Sequence, residues 1–219
     1  MEIATNVIFV EDLYRIAWEV ASALEFLASK NVIHRDVAAR NILLTLQKTS
    51  KLSDFGLSRS SNEALYTSHG GCLPIKWTAL EAIEFGIFTE KADVWSFGVL
   101  LWEMFSFGDT PYEDLEPSRL LGELQKGFRL IPPHRTPTQI SEVMTSCWKT
   151  RLTNRPTFQE KTGNYRRKPT DFLWGPKVTR HTRALLRLTT NPTNHRWIVA
   201  VRVYDHESFP RPAATQQNS

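Results

Sequence analysis

The sequence HRDVAARN at residues 34–41, followed by DFG at residues 54–56, is the most informative part of this chain. The first stretch contains a carboxylate at Asp36 and an amide at Asn41, and the second adds the carboxylate of Asp54. Transfer of a phosphoryl group requires a carboxylate that orients the attacking hydroxyl, together with oxygen ligands for magnesium. The three side chains suit these tasks, and the two stretches together resemble a known signature of phosphoryl-transfer enzymes.

Three further motifs follow in order: PIKWTALE at 74–81, DVWSFGVLLWE at 93–103 and RPTF at 155–158. Together with HRDVAARN and DFGLSR, they make residues 12–158 resemble the C-terminal lobe of a protein tyrosine kinase, most like those of the receptor tyrosine kinases. The resemblance implies a mainly α fold, the C-terminal lobe of the protein-kinase fold, with a short β-hairpin at the cleft. With five motifs in order, the remaining alternative is a kinase fold without activity.

The preference for tyrosine over serine or threonine rests on Ala38 and Arg40. Serine/threonine kinases resemble one another in having a lysine two residues after the catalytic aspartate, where this chain has Ala38. Tyrosine kinases resemble one another in the AAR order that ends here at Arg40. The resemblance also implies a platform for the substrate phenol ring, formed by Pro74, Ile75, Lys76 and Trp77.

Catalytic roles follow from the resemblance, residue by residue. Asp36 would be the base, and Arg40 would position the base and the substrate. Asn41 and Asp54 would bind two Mg²⁺ ions, and Leu43 would form the floor beneath the adenine of ATP. The implied partners are protein substrates bearing tyrosine and signalling proteins that bind phosphotyrosine, and no nucleic acid is expected.

A regulatory role is implied for Tyr66, the only tyrosine between DFG and PIKW. In kinases that this chain resembles, a tyrosine here is phosphorylated in the activation loop. Its phosphate would pair with Arg35 and order the loop through charge-assisted hydrogen bonds. The alternative is an ordinary exposed loop tyrosine.

The resemblance implies structural roles at six further positions: His34, Phe55, Gly56, Glu81, Asp93 and Arg155. Glu81 and Arg155 would form a buried ion pair, and losing one member would leave the other charge unpaired. Asp93 would hold the backbone around the catalytic aspartate. His34 and Phe55 would stack as the lower half of a hydrophobic spine, and the alternative is that they are ordinary core aromatics.

Two parts of a complete kinase are not found in this sequence. No G-x-G-x-x-G occurs among the 219 residues, and no V-A-I-K-like strand precedes His34. In complete kinases these parts hold the ATP phosphates, so we expect the isolated chain to be an inactive fragment of an enzyme. The alternatives are a kinase lobe that acts only as a binding or decoy module, and a truncated gene model. Leu80 also replaces the proline of A-P-E but keeps Glu81.

Apolar residues at three- and four-residue steps predict a helix over residues 12–29, with Asp12 as its N-cap. Residues 91–105 are almost all apolar, which predicts a helix buried on most faces. Two more helices are predicted over residues 116–126 and 138–149.

We divide the chain into a kinase lobe, residues 1–163, and a basic tail, residues 164–219, that resembles nothing in the family. The tail has 10 Lys/Arg and 3 Asp/Glu, against 17 and 20 in the rest of the chain. An irregular or disordered tail is predicted, and the alternatives are a nucleic-acid- or lipid-binding segment and an artefact of the gene model. Within it, residues 196–205 alternate enough to predict a strand without an obvious partner.

The two cysteines, Cys72 and Cys147, form no disulfide framework, which favours a reducing compartment. The sequence contains no apolar run of the roughly 18 residues that a membrane-spanning helix needs. The first residues lack the basic region of a secretory signal. We therefore expect a cytoplasmic chain, with a plasma-membrane receptor as one possible parent whose intracellular part this would be.

Overall fold

The computed structural model describes residues 8–60 and 73–159, and the backbone alone of residues 183–184, 186–190 and 197–201. Within these residues the fold is built mainly from helices: α1 (Val10–Ser29), α2 (Leu80–Phe85), α3 (Glu90–Phe105), α4 (Pro117–Gln125) and α5 (Thr138–Cys147). The four helices predicted from the sequence are confirmed, and α2 is an additional short one.

The strands are short and antiparallel. They are β1 (Ile8–Phe9), β2 (Val32–Ile33), β3 (Ile42–Leu44), β4 (Ser50–Leu52), β5 (Arg59–Ser60), β6 (Arg183–Ala184), β7 (Leu186–Thr190) and β8 (Trp197–Val201). The pair β3–β4 forms the predicted hairpin, directly after HRDVAARN, and β2 pairs with β5. These two pairs hold the HRDVAARN and DFG segments side by side.

The long helix α1 begins two residues before the predicted start. Phe9 is its N-cap, and Asp12 lies in the first turn, where its carboxylate accepts a hydrogen bond of 3.0 Å from the Phe9 N–H. Asp12 therefore caps the helix from inside, and the prediction that it is the N-cap residue is wrong. The apolar face expected from the periodicity is buried, including Leu13, Val20 and Leu24.

Helix α3 is the centre of the core. Thirteen of its sixteen residues are buried, among them Trp95 with none of its surface exposed. It packs against α1 on one side and α5 on another. Such a helix carries few polar residues, and each of those must find a buried partner.

Gly98 allows α3 and α5 to approach closely. A Cβ at this position would lie 2.7 Å from the Cβ of Cys147 and 2.7 Å from Nε1 of Trp148. We expect Gly98→Ala to lower the free energy of unfolding, because overpacking a core costs about 1–3 kcal/mol. The better helix propensity of alanine recovers only about 1 kcal/mol.

The matched control is Gly122→Ala on α4, where a Cβ would have no atom within 4 Å. This variant should be as stable as the wild type or slightly more stable. Thermal unfolding followed by circular dichroism compares the two variants. A Gly98→Ala protein that melts as high as Gly122→Ala would contradict the close approach of α3 and α5.

Part of the tail has a described backbone. The strand predicted within residues 196–205 is found at β8, and its partner is β7, with Leu186 opposite Val201 and Thr190 opposite Trp197. Strand β6 pairs with β1 at the start of the lobe. Among the described parts of the chain, no helix has the length and apolar character needed to cross a membrane.

Candidate active site

The loop at residues 34–41, which contains the predicted base and is called the catalytic loop below, is held by one buried carboxylate. Asp93 on α3 accepts hydrogen bonds from the backbone N–H of His34 at 2.7 Å and of Arg35 at 2.9 Å. Burial raises the pKa of Asp93 to about 6, against the opposing effect of these two bonds. Asp93 thus occupies the position that the sequence resemblance implied, and it fixes the start of the loop.

The carboxylate of Asp36 is held at both oxygens. Arg40 forms an ion pair with Oδ1, and Nδ2 of Asn41 donates to Oδ2 at 2.8 Å. The same Nδ2 donates to the backbone oxygen of Asp36 at 2.8 Å. The orientation of the Asp36 carboxylate is therefore set by its own loop, and the Oδ1 atom of Asn41 is left for other groups.

The DFG segment lies directly beside this loop. Ser53 donates to the backbone oxygen of Asn41 from its N–H and from its hydroxyl, both at 2.9 Å. Asp54 follows with a left-handed φ of 63°, and its carboxylate accepts a bond of 3.3 Å from the N–H of Gly56. A left-handed backbone conformation is uncommon at a non-glycine residue and costs free energy. Because such residues cluster at functional sites, the conformation of Asp54 favours a functional role for this segment.

The oxygen donors of Asn41 and Asp54 fit a magnesium site. Mg²⁺ is commonly held by one or two carboxylates, with water and substrate phosphate completing its coordination. Among residues 8–60 and 73–159 no three His, Cys, Asp or Glu side chains cluster as a metal cage. An amide oxygen and a carboxylate on adjoining segments are the kind of donor set that a phosphate-bound Mg²⁺ uses.

His34 and Phe55 meet edge to face, with ring centroids 4.9 Å apart. His34 is buried, but Phe55 is 49% exposed, so the expectation of a core aromatic is wrong for Phe55. Nδ1 of His34 accepts a bond from the N–H of Asp36, and Nε2 lies 3.2 Å from the backbone oxygen of Ser53. Burial lowers the pKa of His34. A neutral ring protonated on Nε2 satisfies both bonds, so His34 joins the catalytic loop to the DFG segment.

The segment that contains Pro74 and the turn Ile75–Trp77 lies against the loop. The guanidinium carbon of Arg40 is 4.5 Å from the ring centroid of Trp77, a cation–π contact. On the other side, the Ser96 hydroxyl donates to the backbone oxygen of Trp77 at 2.6 Å. The proposed platform is thereby fixed to α3 and to the arginine of the catalytic loop.

Glu81 and Arg155 form a two-pronged ion pair. The NH1 and NH2 nitrogens of Arg155 each lie 2.7 Å from one oxygen of Glu81. The Arg155 side chain is fully buried, and it also donates to the backbone oxygens of Lys149 and Lys91. The pair expected from the sequence resemblance is therefore present, although Leu80 replaces the family's proline beside it.

Comparison with known proteins agrees with this geometry. Residues 2–163 match the family described as protein tyrosine and serine/threonine kinase. This chain belongs to that family. A putative tyrosine-protein kinase of Caenorhabditis elegans, F09A5.2, is 51% identical over 154 residues, which cover 70% of this chain and 18% of that protein.

Two further relatives of this kinase chain have similar coverage. The myoblast growth factor receptor egl-15 of Caenorhabditis elegans is 46% identical over 67% of this chain and 14% of its own length. The human tyrosine-protein kinase ABL2 is 44% identical over 68% of this chain and 13% of its own length. The chain spans between 13% and 18% of the length of these three relatives. Family membership implies ATP, Mg²⁺ and protein substrates in general terms.

Arg35, Leu43 and Tyr66 were also predicted to be site residues. Arg35 is buried, with its guanidinium carbon 4.4 Å from the ring centroid of Phe88. Leu43 is half-buried in β3, opposite Lys51. Tyr66 lies outside the described residues, as does the contact expected between its phosphate and Arg35.

Two residues of the kinase site were missed by sequence reasoning, Ser96 and Glu103. Both lie within the DVWSFGVLLWE motif, on a helix that is otherwise almost entirely apolar. Polar groups buried in such a helix are nearly always hydrogen-bonded. Their presence was a usable signal, although the sequence does not identify the groups with which they bond.

Proposed function

We propose that this chain carries the catalytic loop, metal ligands and substrate platform of a protein tyrosine kinase. In its complete form the enzyme would transfer the γ-phosphoryl group of ATP to tyrosine hydroxyls of proteins. The observation that carries the proposal is the Asp36 carboxylate, oriented by Arg40 and Asn41 beside the Trp77 platform. General-base catalysis requires a carboxylate that is held in position within hydrogen-bond reach of the substrate hydroxyl.

The reaction would use the carboxylate of Asp36 as the proton acceptor. The substrate hydroxyl oxygen attacks the γ-phosphorus, and the bond from that phosphorus to the bridging oxygen of ADP breaks. The hydroxyl proton passes to Asp36 as the new oxygen–phosphorus bond forms. Positioning and electrostatic stabilisation supply most of the rate enhancement in such reactions.

Asn41 and Asp54 would hold the two Mg²⁺ ions, which neutralise the charge of the phosphates when bound. Arg40 would keep Asp36 in place and add positive charge at the site. Leu43 would support the adenine ring. These roles are divided among several side chains of the loop and of the adjacent DFG segment. Such a division suits a reaction whose rate depends mainly on how the reacting groups are positioned.

Tyrosine specificity is supported by the contact between Arg40 and Trp77. Ala38 is fully buried, so its position offers no side chain toward the cleft. The flat Trp77 ring instead supports the Arg40 guanidinium, and the substrate phenol ring would lie against the neighbouring part of the platform. A longer aromatic side chain would then bring its hydroxyl to Asp36.

We also propose that Tyr66 is the activation-loop phosphorylation site and that Arg35 is its partner.

Residues 1–163 would be the kinase lobe and residues 164–219 a separate tail. By analogy with relatives that include a growth factor receptor, the complete protein would act in cytoplasmic signalling, as a receptor or otherwise, and phosphotyrosine-binding proteins would read its products.

The test is magnesium-dependent transfer of labelled phosphate from ATP to a glutamate–tyrosine copolymer by the full-length gene product. We expect Asp36→Asn to lower kcat by at least about 100-fold, the lower end of general-base contributions. The KM for ATP and the melting temperature should change little. Asp114→Asn, at an exposed carboxylate outside the site, is the matched control.

Wild-type protein that transfers phosphate to serine in preference to tyrosine would overturn the specificity. An Asp36→Asn variant that keeps wild-type kcat would overturn the role of Asp36. Wild-type protein without any transfer would favour the alternative of an inactive binding lobe.

A further inference from the structure

A cavity that involves none of the catalytic residues lies at the end of α3. It is lined by Trp102, by the loop that connects α3 to α4, and by residues 128–131 after α4. Its volume is about 350 Å³, which lies within the usual range for sites that hold a small organic group. No residue of the catalytic loop, the DFG segment or the platform lines it. It is therefore a separate candidate site, called the loop cavity below.

Tyr112 brings an unpaired hydroxyl to the wall of the loop cavity. The residue is only 5% exposed, and its hydroxyl has no hydrogen-bond partner among residues 8–60 and 73–159. Burial raises the pKa of this hydroxyl, so it stays neutral and can both donate and accept a hydrogen bond. Buried polar groups are nearly always hydrogen-bonded. A hydroxyl that lines a cavity without a partner therefore indicates a group that bonds to it from within the cavity.

The edge of the loop cavity is acidic. Asp109 and Glu113 line it and are exposed, and within the described part of the chain neither carboxylate forms an ion pair. Arg129 also lines the cavity, but all three nitrogens of its guanidinium donate to backbone oxygens or to a threonine hydroxyl elsewhere in the fold. The two carboxylates therefore remain available to a cation from outside.

Aromatic and aliphatic side chains supply the rest of the wall. The indole Nε1 of Trp102 donates to the backbone oxygen of Ile131 at 2.9 Å, which fixes the indole against residues 128–131. The ring centroids of Tyr112 and Phe128 are 6.2 Å apart. Phe128 is 45% exposed and Ile131 is 83% exposed. Apolar surface therefore continues from the cavity onto the outside of the chain.

An arginine side chain satisfies these features together. Its planar guanidinium stacks on aromatic rings and donates to several acceptors at once. Its charge complements the carboxylates of Asp109 and Glu113. An apolar residue beside the arginine would also cover Phe128 and Ile131, which a free cation of the same size would leave in contact with water.

We propose that the loop cavity is a docking site for an arginine side chain of a partner protein, with an apolar residue next to that arginine lying on Phe128 and Ile131. The Tyr112 hydroxyl accepts one guanidinium N–H, and Asp109 and Glu113 accept others. The docking does not depend on phosphoryl transfer, so it stands apart from the proposed function.

The first experiment measures binding to the full chain and needs no enzymatic activity. The chain is labelled with ¹⁵N-tryptophan, and the indole resonances of Trp102 and Trp18 are assigned by their loss in the two tryptophan-to-phenylalanine variants. The probe is an acetylated and amidated pentapeptide with one arginine between two leucines and alanine at both ends. We expect a saturable shift of the Trp102 resonance, while the resonance of Trp18 on α1 stays in place.

The matched control peptide has citrulline in place of arginine, because citrulline keeps the shape of the side chain and loses its charge. It should bind at least about tenfold more weakly, since charge-assisted hydrogen bonds are about twice as strong as neutral ones. Added salt should weaken the binding of the arginine peptide. Equal affinities for the two peptides, or no shift of Trp102 at about 10 mM arginine peptide, would overturn the proposal.

Agmatine distinguishes a protein segment from a small amine, because it has the guanidinium without the flanking residues. It should bind at least about tenfold more weakly than the arginine peptide, since it leaves the apolar surface uncovered. Agmatine that binds as tightly as the peptide would overturn the docking of a protein segment.

Tyr112→Phe tests the hydroxyl alone, because the ring is kept. We expect about tenfold weaker binding of the arginine peptide, with a melting temperature no lower than that of the wild type, because no hydrogen bond within the described chain is lost. A Tyr112→Phe protein with wild-type affinity would show that the hydroxyl serves only an ordered water, which would overturn its role in docking.

The double variant Asp109→Asn/Glu113→Gln tests the charge. It should weaken binding of the arginine peptide and leave binding of the citrulline peptide unchanged. Glu142→Gln, at an exposed glutamate outside the cavity, should bind both peptides as the wild type does. A double variant that binds the arginine peptide with wild-type affinity would contradict the charge complementarity. If a variant fails to fold, the comparison of the two peptides on the wild type still decides the proposal.

Discussion

Replacing Arg155 by Met is expected to lower the free energy of unfolding by about 3–5 kcal/mol, the usual cost of removing one member of a buried ion pair. The change leaves Glu81 buried without its two bonds of 2.7 Å. It also removes donors from the backbone oxygens of Lys149 and Lys91, and a cation–π contact of 4.9 Å with Trp95. A methionine of similar length fills the space but satisfies none of these groups.

Urea unfolding followed by tryptophan fluorescence measures the loss. The informative comparison is the double variant Arg155→Met/Glu81→Leu, which removes both charges. It should be more stable than Arg155→Met alone, because the unpaired carboxylate causes much of the cost. A double variant that is less stable than the single one would show that the loss comes from packing and the backbone contacts of Arg155.

Asp93→Ala is expected to have the second largest effect. It leaves the N–H groups of His34 and Arg35 buried without an acceptor, at about 1–3 kcal/mol for each group. The start of the catalytic loop should become less ordered at the same time. Transfer activity should therefore fall by more than the loss of folded protein accounts for. Asp109→Ala, at an exposed carboxylate, should change stability by no more than about 0.5 kcal/mol.

The pH dependence gives a second check on Asp93. Its pKa is raised from 3.8 in the reference state to about 6 in the folded chain, so between these values the folded state binds more protons than the unfolded state. Stability contributed by Asp93 therefore falls as the pH rises through this window. The advantage of wild type over Asp93→Asn should be larger near pH 4 than near pH 7. An advantage that grows with pH would contradict the burial of this carboxylate.

The sequence predicted the family and much of the site because the chemistry is concentrated in short motifs. Asp36, Arg40 and Asn41 lie within six residues of one another, so their contacts follow from local spacing. The helices were predicted because apolar periodicity reports the buried face. Asp12 was assigned to the wrong helical position because a carboxylate can cap from the first turn as well as from the N-cap.

The contacts that sequence reasoning did not predict are those between distant segments. Glu103 bonds to Ala39, 64 residues away, and to Trp77, 26 residues away. Both contacts involve N–H groups of irregular segments. The folded backbone conformation of those segments decides which of their N–H groups need a side-chain acceptor, and hydrophobic periodicity carries no information on that conformation. The partner of the tail strand β8 was missed for a similar reason, since β7 has no strong alternating pattern.

Helix α3 carries Asp93, Ser96 and Glu103 at steps of three and seven residues, which lie on one side of a helix. These residues hold the catalytic loop and the platform across separations of up to 64 residues. During synthesis the catalytic loop therefore leaves the ribosome well before the helix that anchors it. The motif that identifies the family is made before α3, and it acquires its shape only after α3 has emerged and folded against it.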